Sequence, residues 1–386
     1  MRITYCIPSL YNSGGMERVL TRKANYLADI MGWEVTIITS NQNNRPPFYD
    51  ISPRVRTIDL GIDYEAIMRQ TLFKRIRSRL KAKKAHKKKL TATLLQLKPD
   101  ICVSMFTHEM TFLPTIKDGS KKVLELHFSK SFRYLDAQSN NTPSLLRLIN
   151  SFLDWNDRRH IRKYDRFVVL SNRDAADWGK KYSNMTVISN PSTFVATDTM
   201  KEDSRKVLAV GRLCAQKGFD MLIDAWGMLP KATRAGWSLN IVGSGPDQSK
   251  LQDKIEANRL SGSVSILPPT RDVKELYRNH SIFCFPSRYE GFGLSLMEAM
   301  SFGTASIAFD CPCGPSEMII DGVNGILVKP GDISGFSEAL QLLMSDERMR
   351  SSMGLRGAQS IKDNFSEEVI MNKWLDLFEK LSPTGR

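Results

Sequence analysis

The chain has 386 residues, of which 41% are hydrophobic and 25% charged, and it carries a formal net charge of +14. That length exceeds what one hydrophobic core usually holds, so two domains are expected, and the balance is globular rather than fibrous or disordered. No run of about 18 apolar residues occurs, so no transmembrane helix is expected.

The first ten residues, MRITYCIPSL, lack the apolar core of a signal peptide and read as a first β-strand. Six cysteines are scattered through the chain, mostly in apolar, strand-like contexts. They read as reduced core residues of a cytoplasmic protein. Cys311 and Cys313 are the one close pair, and the second half-site that zinc requires is absent, so no metal is expected.

In chain order, the strand at 2–8 runs into a loop with Gly14-Gly15 and Glu17. A helix with apolar positions Val19, Leu20, Ala24, Leu27 and Ile30 follows. Strand, glycine loop and helix are the pattern of a phosphate-binding turn, although the dinucleotide fingerprint G-x-G-x-x-G is missing. Strands are predicted at 34–39 and 55–60, separated by a polar loop.

A segment without acidic residues comes next: Lys74, Arg75, Arg77, Arg79, Lys81, Lys83, Lys84, Lys87, Lys88 and Lys89. Met68, Leu72, Ile76 and Leu80 recur at helical spacing through it. A basic amphipathic helix suits an anionic membrane surface, where each basic residue is worth about 1 kcal/mol. The blander alternative is a solvated helix face. No aromatic residues interleave the charges, so nucleic acid is not the expected partner.

Strands follow at 100–105 and 122–126, and His127 closes the second of them. A histidine at the C-terminal end of a strand points at the cleft of an open α/β sheet. A long apolar-then-basic helix is expected at 144–163, a strand at 165–170, and a linker at 190–204. The second half restarts with a strand at 206–210 leading into Gly211-Arg212-Leu213 and Lys217-Gly218. Two cations at a helix start repel its dipole unless an anion lies between them, and Arg212 can fork onto phosphate oxygens. Strands at 238–242 and 264–267 end in a glycine turn, with Gly243 and Gly245, and in Pro268-Pro269-Thr270-Arg271. Those at 282–285, 304–309 and 326–328 complete the series. Helices are expected at 334–344, 347–362 and 365–381.

The stretch 286–300, PSRYEGFGLSLMEAM, organises the rest. A strand end, a Gly291-x-Gly293 bend and a helix start leave the amides of Phe292, Gly293 and Leu294 unpaired, which makes an anion site. Glu290 and Glu298 flank it. Carboxylates repel phosphate but accept hydrogen bonds from hydroxyls on either side of one. The guest so described is a nucleotide sugar. Because all these loops leave strand C-termini, they line one crevice of a parallel sheet.

Together these residues resemble the retaining glycosyltransferases of family 4, of the type that builds bacterial surface polysaccharides. The most specific part is Glu290-x7-Glu298 enclosing Gly291-Phe292-Gly293. It is joined by Gly211-Arg212-Leu213 with Lys217-Gly218, by Gly243 with Gly245, and by Gly14-Gly15 with Glu17. The resemblance implies an α/β fold of the GT-B arrangement, two Rossmann-like domains with parallel sheets facing an interdomain cleft. The expected divisions are an acceptor-binding domain at 1–190, a nucleotide-sugar domain at 191–365, and a helix at 366–386 crossing back to the first. It implies that Arg212 and Lys217 hold the donor diphosphate with the amides of Phe292, Gly293 and Leu294. Gly14 and Gly15 would let a loop close over it, Glu298 would bind the ribose, and Glu290 and His127 would act at the transferred sugar. Gly243, Gly245 and Arg271 would border the cleft. UDP is the expected nucleotide and a lipid-linked glycan the expected acceptor, with the enzyme peripheral on the inner face of the plasma membrane. No cofactor or metal is implied, since the cations and helix end supply the positive charge. Two other readings stay open, a UDP-sugar epimerase of similar layout and a non-catalytic module for anionic membranes.

Overall fold

A computed structural model describes residues 1–132, 134–135, 156–157, 159–194, 204–270 and 272–382. Arg271, residues 195–203 of the linker expected at 190–204, and most of the helix expected at 144–163 lie outside the described residues, as do the side chains of Leu72 and Phe73.

Seven strands form the first sheet: β1 (Arg2–Ile7), β2 (Glu34–Thr39), β3 (Arg56–Asp59), β4 (Ile101–Ser104), β5 (Lys121–Glu125), β6 (Arg166–Val169) and β7 (Met185–Val187). Their order is 3-2-1-4-5-6-7 and every pairing is parallel. Six more form the second: β8 (Lys206–Val210), β9 (Ser238–Val242), β10 (Val264–Leu267), β11 (Ile282–Phe285), β12 (Ala305–Phe309) and β13 (Ile326–Val328). Their order is 10-9-8-11-12-13, again all parallel. The strands of β4, β11 and β12 are buried along their whole length, as expected where helices cover both faces of a sheet.

Strand order reverses between β1 and β4 in the first sheet and between β8 and β11 in the second. Parallel α/β sheets bind ligands at such switch points, beyond the strand C-termini. The loop after β1 carries Gly14 and Gly15. The loop after β8 carries Arg212 and Lys217, and the loop after β11 carries Glu290. The chain order of these loops therefore puts them at the switch points before any side chain is considered.

One hydrophobic cluster runs through both halves. It joins Ile3, Tyr5, Leu20 and Ala24 of the first sheet and its helix to Phe283, Phe292, Leu296 and Met300 of the second. The last helix, Glu367–Leu381, enters the same cluster through Ile370, Trp374 and Phe378. Phe378 packs on Trp33 with ring centroids 6.2 Å apart, and Arg22 donates to Glu367 at 2.9 Å. The two helices expected at 347–362 and 365–381 are present with a shifted boundary: Phe365 ends the helix Glu347–Phe365, and Ser366 separates it from the last helix, its hydroxyl accepting from the Val369 amide. Strand β7 was not expected, because three half-buried residues carry no alternation long enough to read.

The basic segment is helical over Leu72–Leu97, and its C-terminal half docks through His86, Leu90 and Leu94. The expected apolar stripe is corrected in one respect. Met68 belongs to a separate short helix, Tyr64–Met68, so the row does not run continuously. Ile76 and Leu80 face solvent, 53% and 66% exposed, beside exposed Lys74, Arg77, Arg79, Lys81, Lys83 and Lys84. Two of the expected surface cations are held by the protein: Lys89 donates to the Leu60 carbonyl at 2.6 Å, and Arg75 to that of Gln70 at 3.2 Å. Among the described residues no helix is long and apolar enough to cross a membrane.

Candidate active site

The bend after β11 is forced by two glycines. Gly293 sits at φ 97°, a conformation that penalises any Cβ, and N-caps the helix Leu294–Ser301. At Gly291 a Cβ would stand 2.0 Å from the carbonyl oxygen of His127, so the bend lies directly against the end of β5. Gly15 is close to the same place, since a Cβ there would meet Leu294 Cδ1 at 2.8 Å. The loops expected to surround the sugar and diphosphate therefore do converge, from both sheets. The amides of Phe292, Gly293 and Leu294 have no backbone acceptor among the described residues.

Two side chains assigned separately in sequence meet here. Lys217, on the turn Ala215–Lys217, places Nζ 2.6 Å from Glu290 Oε1. Ser287 donates to the same oxygen at 2.7 Å, and Oε2 takes no donor among the described residues. Glu290 is thus held by one oxygen and offers the other. Arg212 is exposed and has no acceptor among the described residues. Gly243 and Gly245 act one step back. Cβ atoms there would lie 1.9 Å from the Gly211 carbonyl oxygen and 2.3 Å from that of Leu213. They let the β9 loop press on the Arg212 loop, which Leu213 N seals by donating to Ser244 O at 2.9 Å.

Sequence reasoning passed over Arg288. Its guanidinium grips Asp220 with bonds of 2.8 and 2.7 Å and donates to the Ala215 carbonyl at 2.7 Å. That clamps the Lys217 turn to the Glu290 bend. Burial pushes the Asp220 carboxyl up, but the bond and charge of Arg288 more than offset this and leave it below its usual range.

Glu298, expected to bind the ribose, already has partners within the protein. It is buried and accepts from Thr193 Oγ1 at 2.7 Å, from the Tyr277 hydroxyl at 2.9 Å, and from Arg18 across the cleft. Burial first, and then the neighbouring Glu298 charge, raise the Tyr277 phenol well above its ordinary value. Arg18 also lies over the rings of Phe194 and Tyr49, at 5.3 and 5.6 Å. Its place directly after Glu17, one turn beyond Gly14-Gly15, was the available signal.

His127 is buried, and its Nε2 stands 3.1 Å from Glu125 Oε1, a close approach rather than a well-aligned hydrogen bond. The other Glu125 oxygen pairs with Lys23, and both of these side chains are only 1% exposed. Burial raises the Glu125 carboxyl, but Lys23 and then His127 outweigh that and lower it to about 2. Neither Lys23 nor Glu125 was singled out from sequence. The signal was a charge at a position the apolar pattern assigns to the core: Lys23 beside Ala24, and Glu125 inside Val-Leu-Glu-Leu. Glu17 lies nearby, and burial raises its carboxyl.

A second contact crosses the cleft. Arg173 Nη1 donates to Asp310 Oδ1 at 2.8 Å, and Glu317 accepts from Asn172 Nδ2 at 3.0 Å and from the Arg173 amide at 3.2 Å. Cys313 donates to Asp174 at 3.4 Å in the same region. Among the described residues no group of three or more His, Cys, Asp or Glu side chains is arranged to hold a metal ion.

Two family models divide the chain. One described as Glycosyltransferase Family 4 matches residues 13–191, and one described as Glycosyl transferases group 1 matches residues 194–360. An uncharacterised glycosyltransferase of Haemophilus influenzae is 28% identical over 97% of this chain and 98% of its own. A Campylobacter jejuni α-1,4-N-acetyl-D-galactosaminyltransferase is 27% identical over 99% of both chains; its name gives as substrate GalNAc-α-(1→4)-GalNAc-α-(1→3)-diNAcBac-PP-undecaprenol. The fold of sucrose-phosphate synthase from Thermosynechococcus elongatus superimposes with a TM-score of 0.80, covering 98% of each chain at 20% identity. With two parallel α/β sheets, a bend that brings Glu290 to Lys217, and a family match over each half, the chain belongs to the family 4 glycosyltransferases of GT-B fold.

Proposed function

We propose that this glycosyltransferase moves a hexose or N-acetylhexosamine from UDP to a lipid-linked glycan of a bacterial surface polymer, with retention and without a metal. One observation carries the reading. Lys217 and the open amides at 292–294 meet Glu290 at the switch point of the second sheet, with His127 of the first sheet against the same bend. Cations and amides on one side stabilise charge that develops on a departing diphosphate. The unpartnered oxygen of Glu290 faces the need of the other side, a sugar hydroxyl beside an oxocarbenium-like centre. The Campylobacter relative supports a pyrophosphate-linked lipid acceptor.

A donor panel of UDP-Glc, UDP-Gal, UDP-GlcNAc, UDP-GalNAc and GDP-Man tests this. One UDP-sugar is expected to bind selectively and to release UDP slowly in the absence of acceptor. Conversion of UDP-GlcNAc to its epimer without acceptor would favour the epimerase instead, and binding of no donor and no nucleotide would refute the site.

The exposed cations of the helix Leu72–Leu97, with Ile76 and Leu80 among them, support peripheral contact with an anionic inner membrane face. Binding to vesicles containing anionic lipid is expected to fall steeply with salt and to be lost when Lys74, Arg77, Lys81 and Lys84 are changed to Gln. Salt-independent binding, or binding unaffected by those changes, would remove the membrane role.

A further inference from the structure

Two ionisable side chains of opposite sign sit in the core of the first half. Lys23 and Glu125 are each 1% exposed, and Lys23 Nζ lies 3.8 Å from the centre of the Trp374 ring, on the helix Glu367–Leu381. Removing two ions from water costs more than their attraction reliably returns, so such a pair is poorly explained as a source of stability. Its geometry shows another use. Glu125 Oε2 takes Lys23, and Oε1 is turned to His127 Nε2, 3.1 Å away. His127 in turn supplies the carbonyl against which Gly291 packs, one residue from Glu290.

We propose that Glu125 is a positioning residue for His127. Lys23 holds the carboxylate ionised and in place, and Trp374 of the last helix caps Lys23 from above. An ionised carboxylate accepts only, so an oxygen of Glu125 beside Nε2 favours the ring tautomer with its proton there and sets the ring's orientation at the sugar. The final helix thereby reaches the reaction centre through three buried side chains. This inference rests on the proposed function to the extent that His127 borders the transferred sugar.

The test uses the full-length chain with the variants K23M/E125Q, H127Q and the combination of all three. Glu125→Gln alone strands the Lys23 charge and risks misfolding, whereas K23M/E125Q removes both charges at nearly constant volume. The double variant is expected to keep donor KM and UDP affinity within about twofold and to lose about 10–100-fold in turnover, the scale of a misplaced reacting group. In the H127Q background the same pair of changes is expected to cost nothing further. Histidine 15N spectra are expected to show one tautomer for His127 in the parent, protonated at Nε2, and a tautomer mixture in K23M/E125Q. Parent turnover in K23M/E125Q, or losses that multiply with H127Q, would overturn the proposal. If the parent transfers no sugar from any donor, the functional reading fails on its own. The spectra then decide the positioning claim, and an unchanged His127 signal overturns it.

Discussion

Glu290→Gln is expected to lower turnover by about 10²–10³-fold, the scale of removing one well-placed electrostatic group, while UDP binds at least as tightly as to the parent. The reason is the contact with Lys217 at 2.6 Å. In the free enzyme the Lys217 ammonium is shared with Glu290, and neutralising the carboxylate releases it to the diphosphate. Lys217→Ala should do the reverse and weaken UDP binding about 10–100-fold, the range of a charge-assisted hydrogen bond. Ser287 keeps a hydrogen bond to the amide in the Gln variant, so the bend is expected to hold. The check is UDP titration by calorimetry beside turnover of the selected donor. Weakened UDP binding in Glu290→Gln would mean that the two side chains act together on the nucleotide, and equal affinity in Lys217→Ala and the parent would remove Lys217 from the diphosphate site.

Glu298→Ala is expected to weaken UDP binding about 10–100-fold and to erase any preference for UDP over 2′,3′-dideoxy-UDP, since one charged acceptor of ribose hydroxyls is lost. It should also destabilise the protein. The Tyr277 hydroxyl and the Arg18 guanidinium lose their shared carboxylate, and a stranded buried donor costs about 1–3 kcal/mol. Arg18 comes from the first sheet's helix and Glu298 from the second sheet's, so the variant also cuts a tie across the cleft. Calorimetry with both nucleotides and a thermal melt separate these effects. If the parent binds UDP and the dideoxy analogue equally, Glu298 does not read the ribose, and its contact with Arg18 is what it contributes.

Much of this was legible in the chain. Strands at 238–242, 264–267, 282–285 and 326–328 stand where apolar-rich segments ran into glycine or proline within two residues, because a strand's exit needs a turn; 282–285, buried along its whole length, is an unbroken apolar run. Gly291 and Gly293 announced the bend for the same local reason. Met68 was drawn into a neighbouring helix's stripe because spacing alone does not show the break at 69–71. Strand β7 is too short to show a period at all.

Local pattern and the order of the elements thus determined the parallel α/β halves, the loops at strand C-termini, and the set of residues proposed to bind a nucleotide sugar. Which of those residues touch was decided by the tertiary structure. Lys217 pairs with Glu290 73 positions away, Lys23 with Glu125 102 away, and Arg18 with Glu298 280 away. A hydrogen bond between such distant positions leaves no period in the sequence. It depends on where two sheets and a returning helix bring their ends, and burial then selects charges that the apolar pattern alone would count as misplaced.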